Sequence, residues 1–196
     1  MYSAAIYLII FLLGFAMGKW PEKQALYRAI RDGDENAFRV FYNQYFDPLF
    51  LFLRNRGISP DVSKDLIQKA FIYVWEHRER IEPEKSLKSY LYRIAYTRML
   101  NYLDSKKETV DAEEVLSKRK VLPDRVAEYG DLQSALQKAV KSMPEKRRIV
   151  FESCFIQEMT YRETAEMLSL SVKTIETHMA LALRDVRKAL TVFREV

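Results

Sequence analysis

Cysteine occurs once in this chain, at Cys154, inside an apolar run. A lone thiol has no disulfide partner within the chain and no zinc-type spacing around it, which fits a reducing cytoplasm and a core position. Glycine (5) and proline (6) are also scarce, which excludes collagen-like, linker-like and turn-rich all-β chains. The two histidines, His77 and His178, stand far apart in sequence, so no metal site is supported. There is no glycine-rich phosphate loop and no nucleophile paired with a histidine. The sequence therefore offers no catalytic residues and implies no cofactor.

What the chain does have is 48% hydrophobic and 13% aromatic residues, a composition suited to compact helical modules. Lysine and arginine number 32 against 27 acids, a modest excess that serves nucleic acid or an anionic membrane. The placement of that charge carries more information than its sum.

Residues 1–19 form an apolar leader. No charge occurs from Ala4 to Gly18, yet the block falls short of the roughly 20 apolar residues that span a bilayer. Met1-Tyr2-Ser3 is no basic secretory leader either. Three readings stand side by side: an over-extended start with Met17 as the natural initiator, a weak membrane anchor, or a hydrophobic helix packed on the body.

Beyond the leader, apolar positions recur at helical spacing. Leu26, Ala29, Ile30, Ala37, Phe38 and Phe41 predict a short helix and a longer one, broken at Asp32-Gly33-Asp34 with Asp34 as cap. Pro48 should bend the second or mark a junction. After the turn Gly57-Ile58-Ser59-Pro60, a third helix from about Asp61 to Arg80 carries Leu66, Ile67, Ala70, Phe71, Val74 and Trp75 on one stripe. A fourth, about Ser86 to Ser105, assigns Leu87, Leu91, Ile94, Ala95, Met99, Leu100 and Leu103 to the core.

Between Lys88 and Lys107 this helix sets Lys88, Arg93, Arg98, Lys106 and Lys107 against Asp104 alone, with Tyr90, Tyr92, Tyr96 and Tyr102 interleaved. Aromatic faces alternating with cations provide stacking surfaces and phosphate neutralisation, the two needs of a single-strand binder. The alternative is a solvated basic face whose tyrosines straddle core and surface. From 108 to 130 the periodicity fades into a charged linker. Structure resumes with Leu132, Ala135, Leu136, Ala139, Val140 and Met143, is stopped at Pro144, and restarts through Ile149, Val150 and Phe155.

The last sixty residues hold a sharper pattern. Thr160-Tyr161-Arg162-Glu163 has the form of a capping box, and Ser169-Leu170 that of a tight turn. Ser171 then caps a helix that turns Val172, Ile175, Met179, Ala182, Val186 and Leu190 inward. This is a helix-turn-helix, whose second helix places its first residues at base edges. Thr174, Glu176 and Thr177 are the candidate base readers, and Lys173, Arg184, Arg187 and Lys188 the candidate phosphate contacts. His178 fits a phosphate neighbour or a packing residue. The alternative is an ordinary helical hairpin with a polar outer face.

Together, Asp65-Leu66-Ile67-Gln68 with Phe71 and Trp75, Leu91 to Ala95 through Asn101-Tyr102-Leu103, and Met143 to Lys146 with Thr160 to Arg184 resemble extracytoplasmic-function sigma factors of the sigma-70 family. The resemblance implies an all-α chain of two small domains, 20–107 and 131–196, joined by a flexible linker at 108–130. It implies a non-enzymatic, cytoplasmic subunit of transcription initiation whose partners are RNA polymerase core, promoter DNA and an anti-sigma factor. By position, Asp65, Gln68, Phe71 and Trp75 would meet the polymerase clamp. Tyr92, Arg93, Tyr96, Arg98, Asn101, Tyr102, Ser105, Lys106 and Lys107 would capture the melted minus-ten element, with a flipped base in a loop pocket. The helix-turn-helix would read the minus-thirty-five duplex. Two positions depart from the family pattern: Lys69, where an acid is usual, and Leu181, where a basic or polar contact is common. The competing classes are a helix-turn-helix regulator of the response-regulator output type, which would bring an α/β partner domain, and a membrane-anchored signalling adaptor, which rests on residues 4–18.

Overall fold

The computed structural model describes residues 20–109 and 130–191, and contains no strand among them. The apolar leader and the linker lie outside the described residues. The first half comprises α1 (Trp20–Arg31), α2 (Glu35–Arg54), α3 (Pro60–Glu76), a short 3-10 turn (Arg78–Arg80) and α4 (Leu87–Thr109). The second comprises α5 (Gly130–Ser142), α6 (Glu145–Phe155), α7 (Tyr161–Leu168) and α8 (Val172–Leu190).

Local chemistry sets these boundaries. Asp34 caps α2 by accepting from the amides of Asn36 and Ala37 at 2.8 and 3.1 Å, after Gly33 has turned the chain at φ +91°. An L side chain at that φ would be strained, which is why glycine stands there. Ser59 precedes α3 with no side-chain cap bond, and Pro60 takes the first turn, where its missing amide costs nothing.

Pro48 marks no junction, which removes one of the two sequence expectations; α2 runs unbroken from Glu35 to Arg54. The proline is half-exposed and the residue one turn before it, Gln44, is exposed, so the carbonyl deprived of an amide partner faces water. Three more corrections concern faces. Leu100 and Leu136, assigned inward by periodicity, are exposed, as is Val172 at the start of α8. Val172 stands in the first turn of α8, where no neighbouring element covers it, whereas Leu100 lies on the side of α4 opposite its buried residues, an apolar residue outside the buried stripe.

The first core is built on aromatic rings. Phe41 meets Tyr27 and Phe71 edge-on, and Phe52 meets Tyr92 with ring centres 5.2 Å apart. The second core is smaller and sulfur-rich, with Met143, Val150, Phe151, Cys154, Ile175 and Met179 buried together. Cys154 is in the core as expected, its Sγ 3.4 Å from the Thr164 hydroxyl and its thiol pKa pushed up by burial. Arg147 on α6 grips Asp185 on α8 at 2.6 Å and fixes their crossing. The two halves also touch: Ile149, Met159 and Met167 of the second belong to the same buried cluster as α1 to α4 of the first.

Candidate nucleic-acid interface

Helix α4 divides its residues by angle. Leu87, Leu91, Tyr92, Ala95 and Met99 are buried. On the opposite side, Arg93, Thr97, Leu100, Asn101 and Asp104 are exposed, a run at the spacing of one helix stripe. Tyr90 and Tyr96 stand half-buried on the two shoulders of that stripe. The guanidinium of Arg93 lies 5.9 Å from the Tyr90 ring centre, and the ammonium of Lys106 lies 5.4 Å from that of Tyr102. The result is a ridge with cationic and amide groups along its crest and aromatic faces beside it, which matches a single strand whose phosphates and bases need different partners.

The sequence motif grouped its tyrosines as equals, and the structure separates them. Tyr92 is fully buried, edge-on to Phe52, with its hydroxyl hydrogen-bonded to Gln157 of the second half. Burial raises the pKa of that phenol, so it stays neutral and can donate. In this arrangement Tyr92 is a wall of the core and meets no solvent. Tyr96 is half-buried, with its phenol also raised, chiefly by desolvation. Arg98 is half-buried and stacks over the Tyr73 ring at 5.8 Å, while Asn101, Ser105 and Lys106 are exposed. The side chain of Lys107 lies outside the described residues.

Sequence reasoning missed the partners that α3 supplies. Tyr73 stacks on His77 with ring centres 4.0 Å apart, and burial, with Tyr73 beside it, pushes the Tyr90 phenol above its ordinary range. Tyr73 and His77 sit one turn apart at the end of α3, and that spacing was the signal for their contact. Near them a cavity of about 400 Å³ opens between the α3–α4 connection and α4, lined by Arg80, Glu82, Lys85, Tyr90 and Arg93, with Glu166 from α7 at its edge.

On α3 the four candidate clamp residues fall on two faces. Asp65 and Gln68 are exposed, Trp75 is half-buried against Phe38 at 4.8 Å, and Phe71 is in the core. Ile72 is exposed one turn beyond Gln68 and extends the outer face. Lys69 reaches back to Asp65 at 2.7 Å, so the cation that departs from the family pattern partly neutralises the acid beside it.

The second surface is the start of α8. Thr160 and Glu163 exchange bonds at 3.1 and 2.7 Å, the reciprocal capping box that the sequence predicts. Ser169 closes α7 in the left-handed region at φ +54°, and Ser171 caps α8 by accepting from the Thr174 amide at 3.0 Å. Lys173, Glu176 and Thr177 are exposed, with Lys173 and Glu176 paired at 3.3 Å. The Thr177 hydroxyl donates to the Lys173 carbonyl and keeps its two lone pairs as acceptors. Thr174 is half-buried, with its hydroxyl 2.8 Å from that of Ser171. Arg184, Arg187 and Lys188 are exposed further along, whereas His178 is half-buried with a solvent-sealed Nδ1 that has no protein partner. Leu181, the other departure, is half-buried. No group of residues able to hold a metal ion occurs among the described residues.

Comparison with known proteins bears on both surfaces. The model of sigma-70 region 2 matches residues 41–109, and that of sigma-70 region 4 matches residues 133–186. The RpoE extracytoplasmic-function sigma factor of Cereibacter sphaeroides is 27% identical over 168 residues, covering 84% of this chain and 92% of that relative. The chain belongs to the extracytoplasmic-function sigma factors. Solved structures agree on the fold. CnrH, determined with the cytosolic domain of CnrY, superposes with a TM-score of 0.60 at 20% identity, covering 87% of this chain and 97% of that one. RpoE of Bartonella quintana, co-crystallised with the anti-sigma factor NepR, gives 0.59 at 18% identity, covering 79% and 97%. In this sigma factor the ridge on α4 falls within the region 2 match and the start of α8 within the region 4 match. The α/β partner domain of a response regulator finds no place among the described residues. No helix there is long and apolar enough to cross a membrane.

Proposed function

We propose that this sigma factor brings core RNA polymerase to a restricted set of promoters, its first half capturing the melted minus-ten strand and its second half reading the minus-thirty-five duplex. The reading is carried by one observation: the chain presents an aromatic and cationic ridge on α4 and, separately, a capped recognition helix whose polar start faces solvent. Arg93, Arg98 and Lys106 neutralise phosphates, Tyr96 and Tyr102 offer stacking faces, and Asn101 and Ser105 hydrogen-bond bases or sugars. Lys107 continues the basic run of the sequence. Glu176 accepts from cytosine N4, Thr174 and Thr177 offer hydroxyl or methyl contacts, and Lys173, His178, Arg184, Arg187 and Lys188 fix the backbone. Tyr92 supports the ridge from beneath unless the halves part, when it joins the stacking face.

Asp65, Gln68 and the exposed Ile72 meet the polymerase clamp, with Phe71 and Trp75 holding α3 in register. The two domains span 20–107 and 131–196. The protein acts in the cytoplasm by binding alone, without catalysis or a cofactor. The anti-sigma factor bound to the B. quintana protein supports a similar inhibitor as a third partner.

The test is transcription in vitro with core enzyme of the same source, followed by mapping of start sites. Initiation should occur at few promoters, while the purified chain alone binds promoter duplex poorly. Absence of core-dependent initiation, or equal initiation at unrelated promoters, would refute the reading. Tyr96→Ala combined with Asn101→Ala should suppress strand opening more than closed-complex formation, and a permanganate footprint with a normal bubble would contradict that assignment.

A further inference from the structure

Helix α4 has two shoulders. Ser89 and Tyr92 turn toward the second half, where Ser89 bonds Glu166 at 3.4 Å and Tyr92 bonds Gln157. Tyr90, Ile94 and Arg98, spaced four apart, form the half-buried shoulder that faces α3. The end of α3 brings two rings to it. His77 lies flat on Tyr73, with ring centres 4.0 Å apart and planes 21° from parallel, and the Arg98 guanidinium stands 5.8 Å from the Tyr73 ring centre. Both rings are half-buried, so part of each remains open to solvent.

Two features of this corner go beyond what ending a helix requires. His77 is the C-cap of α3, and its Nδ1 lies 2.9 Å from the Tyr73 carbonyl, which also accepts from the His77 amide at 3.1 Å. A carbonyl only accepts, so Nδ1 carries the ring proton and donates. That bond needs a donor there, not an aromatic plane. Arg98, for its part, has an Nε sealed from solvent with no protein partner. Beyond His77 the chain turns toward the cavity: Arg78 bonds the Trp75 carbonyl at 3.1 Å, and Arg80 lines the cavity with Tyr90 and Arg93. Tyr90 has Tyr73 beside it, so the stacked pair adjoins the cavity across that one ring. Glu76 and Glu79 are exposed around the pair, so what this corner offers is ring surface more than positive charge.

We propose that His77, backed by Tyr73, is a further stacking step for the melted strand, holding one nucleobase beside the cavity while Arg98 meets the adjoining phosphate. The step rests on the strand-capturing function proposed above and adds to it a contact residue outside α4. Stacking on a ring face accepts any base, so the step contributes affinity and sets the strand's path without choosing its sequence. The imidazole is already stacked on one face and bonded at one edge, and little freedom is left for it to lose when a base arrives.

The experiment uses holoenzyme assembled from core of the same source and the full chain. Its probes are non-template single strands covering the mapped minus-ten element, with a fluorescent aminopurine replacing one base at a time. Stacking on an aromatic ring quenches that base. Two variants separate a stacking step from a simple helix cap: His77→Phe keeps the ring and deletes the donor, whereas His77→Gln keeps a donor and deletes the ring. Circular dichroism follows their helix content. In the wild type at least one position should be quenched on binding and stay quenched in His77→Phe. In His77→Gln that position should recover its emission, and the strand should bind at least about fivefold more weakly, as for one lost base stack. The reverse pattern, with His77→Gln behaving as wild type and His77→Phe impaired, makes His77 a cap and overturns the step, as does a quench profile that neither variant or both variants alter. Holoenzyme that captures no strand beyond what core alone captures removes the proposed function and the step with it, whereas normal capture with an unaltered profile removes the step alone.

Discussion

On the function proposed above, the two halves each offer a helix to DNA, with opposite divisions of labour. In the first, α4 is both a wall of the core and the binding ridge, so Tyr92, Tyr96 and Tyr90 grade from buried to half-exposed around one cylinder. In the second, α8 hides Ile175, Met179 and Ala182 and shows a polar start fixed by a serine cap. Core and interface are coupled in the first half and nearly independent in the second. Single-strand capture requires large aromatic faces, and a large face is held steady only by burying part of it. Duplex readout requires small polar groups at a helix start, which local capping bonds hold.

Substitutions should divide along that line. The largest effect belongs to the first core: Phe41→Ala, which removes a fully buried ring at the centre of the aromatic cluster, should cost about 3–5 kcal/mol in urea unfolding and impair strand capture along with stability. Retention of full strand binding at that loss would break the coupling. In the second half, Thr177→Val, which keeps the shape and deletes the hydroxyl, should change upstream sequence preference by about 1–3 kcal/mol with the melting temperature almost unmoved. Selection from a randomised upstream element reads this out, and an unchanged preference would shift readout elsewhere on α8. Thr160→Ala removes the capping box and should cost about 1 kcal/mol, measured by amide exchange and concentrated in α7 and α8. Protection lost equally from α2 and α3 would mean that the halves unfold as one. The smallest effect is Lys69→Ala: its exposed pair with Asp65 should contribute under about 1 kcal/mol to stability, while clamp affinity rises as Asp65 is uncovered. A binding assay against core polymerase sees the gain, and a loss would mean that Lys69 itself makes the contact.

Much of this was legible in the sequence because it is local. The Asp34 cap, the Thr160 and Glu163 box, the Ser171 cap and the stripe of Ile175, Met179 and Ala182 depend on residues within three or four positions of each other, and all are seen in the structure. What was not legible depends on residues far apart in the chain. Tyr92 looks like its neighbours until α2 supplies Phe52 and the turn after α6 supplies Gln157. Tyr73 became part of the α4 surface only because α3 packs beside it. Val172 shows the converse, since the right spacing places a side chain on a face but does not guarantee a neighbour above it, and Leu100 shows that an apolar residue in a helix need not lie on the buried stripe. Lys69 was noticed as a departure from the family, and its pairing with Asp65, four positions earlier on the same helix, is of the local kind.

The corner between α7 and α8 is short and bonded at both ends, with Ser169 in the left-handed region and Ser171 closing the next turn. Such a corner has no slack. Because α7 rests against α4, any tilt of α7 there is transmitted to the recognition helix as a lever arm transmits a rotation, so the seating of one half on the other sets the direction in which α8 points.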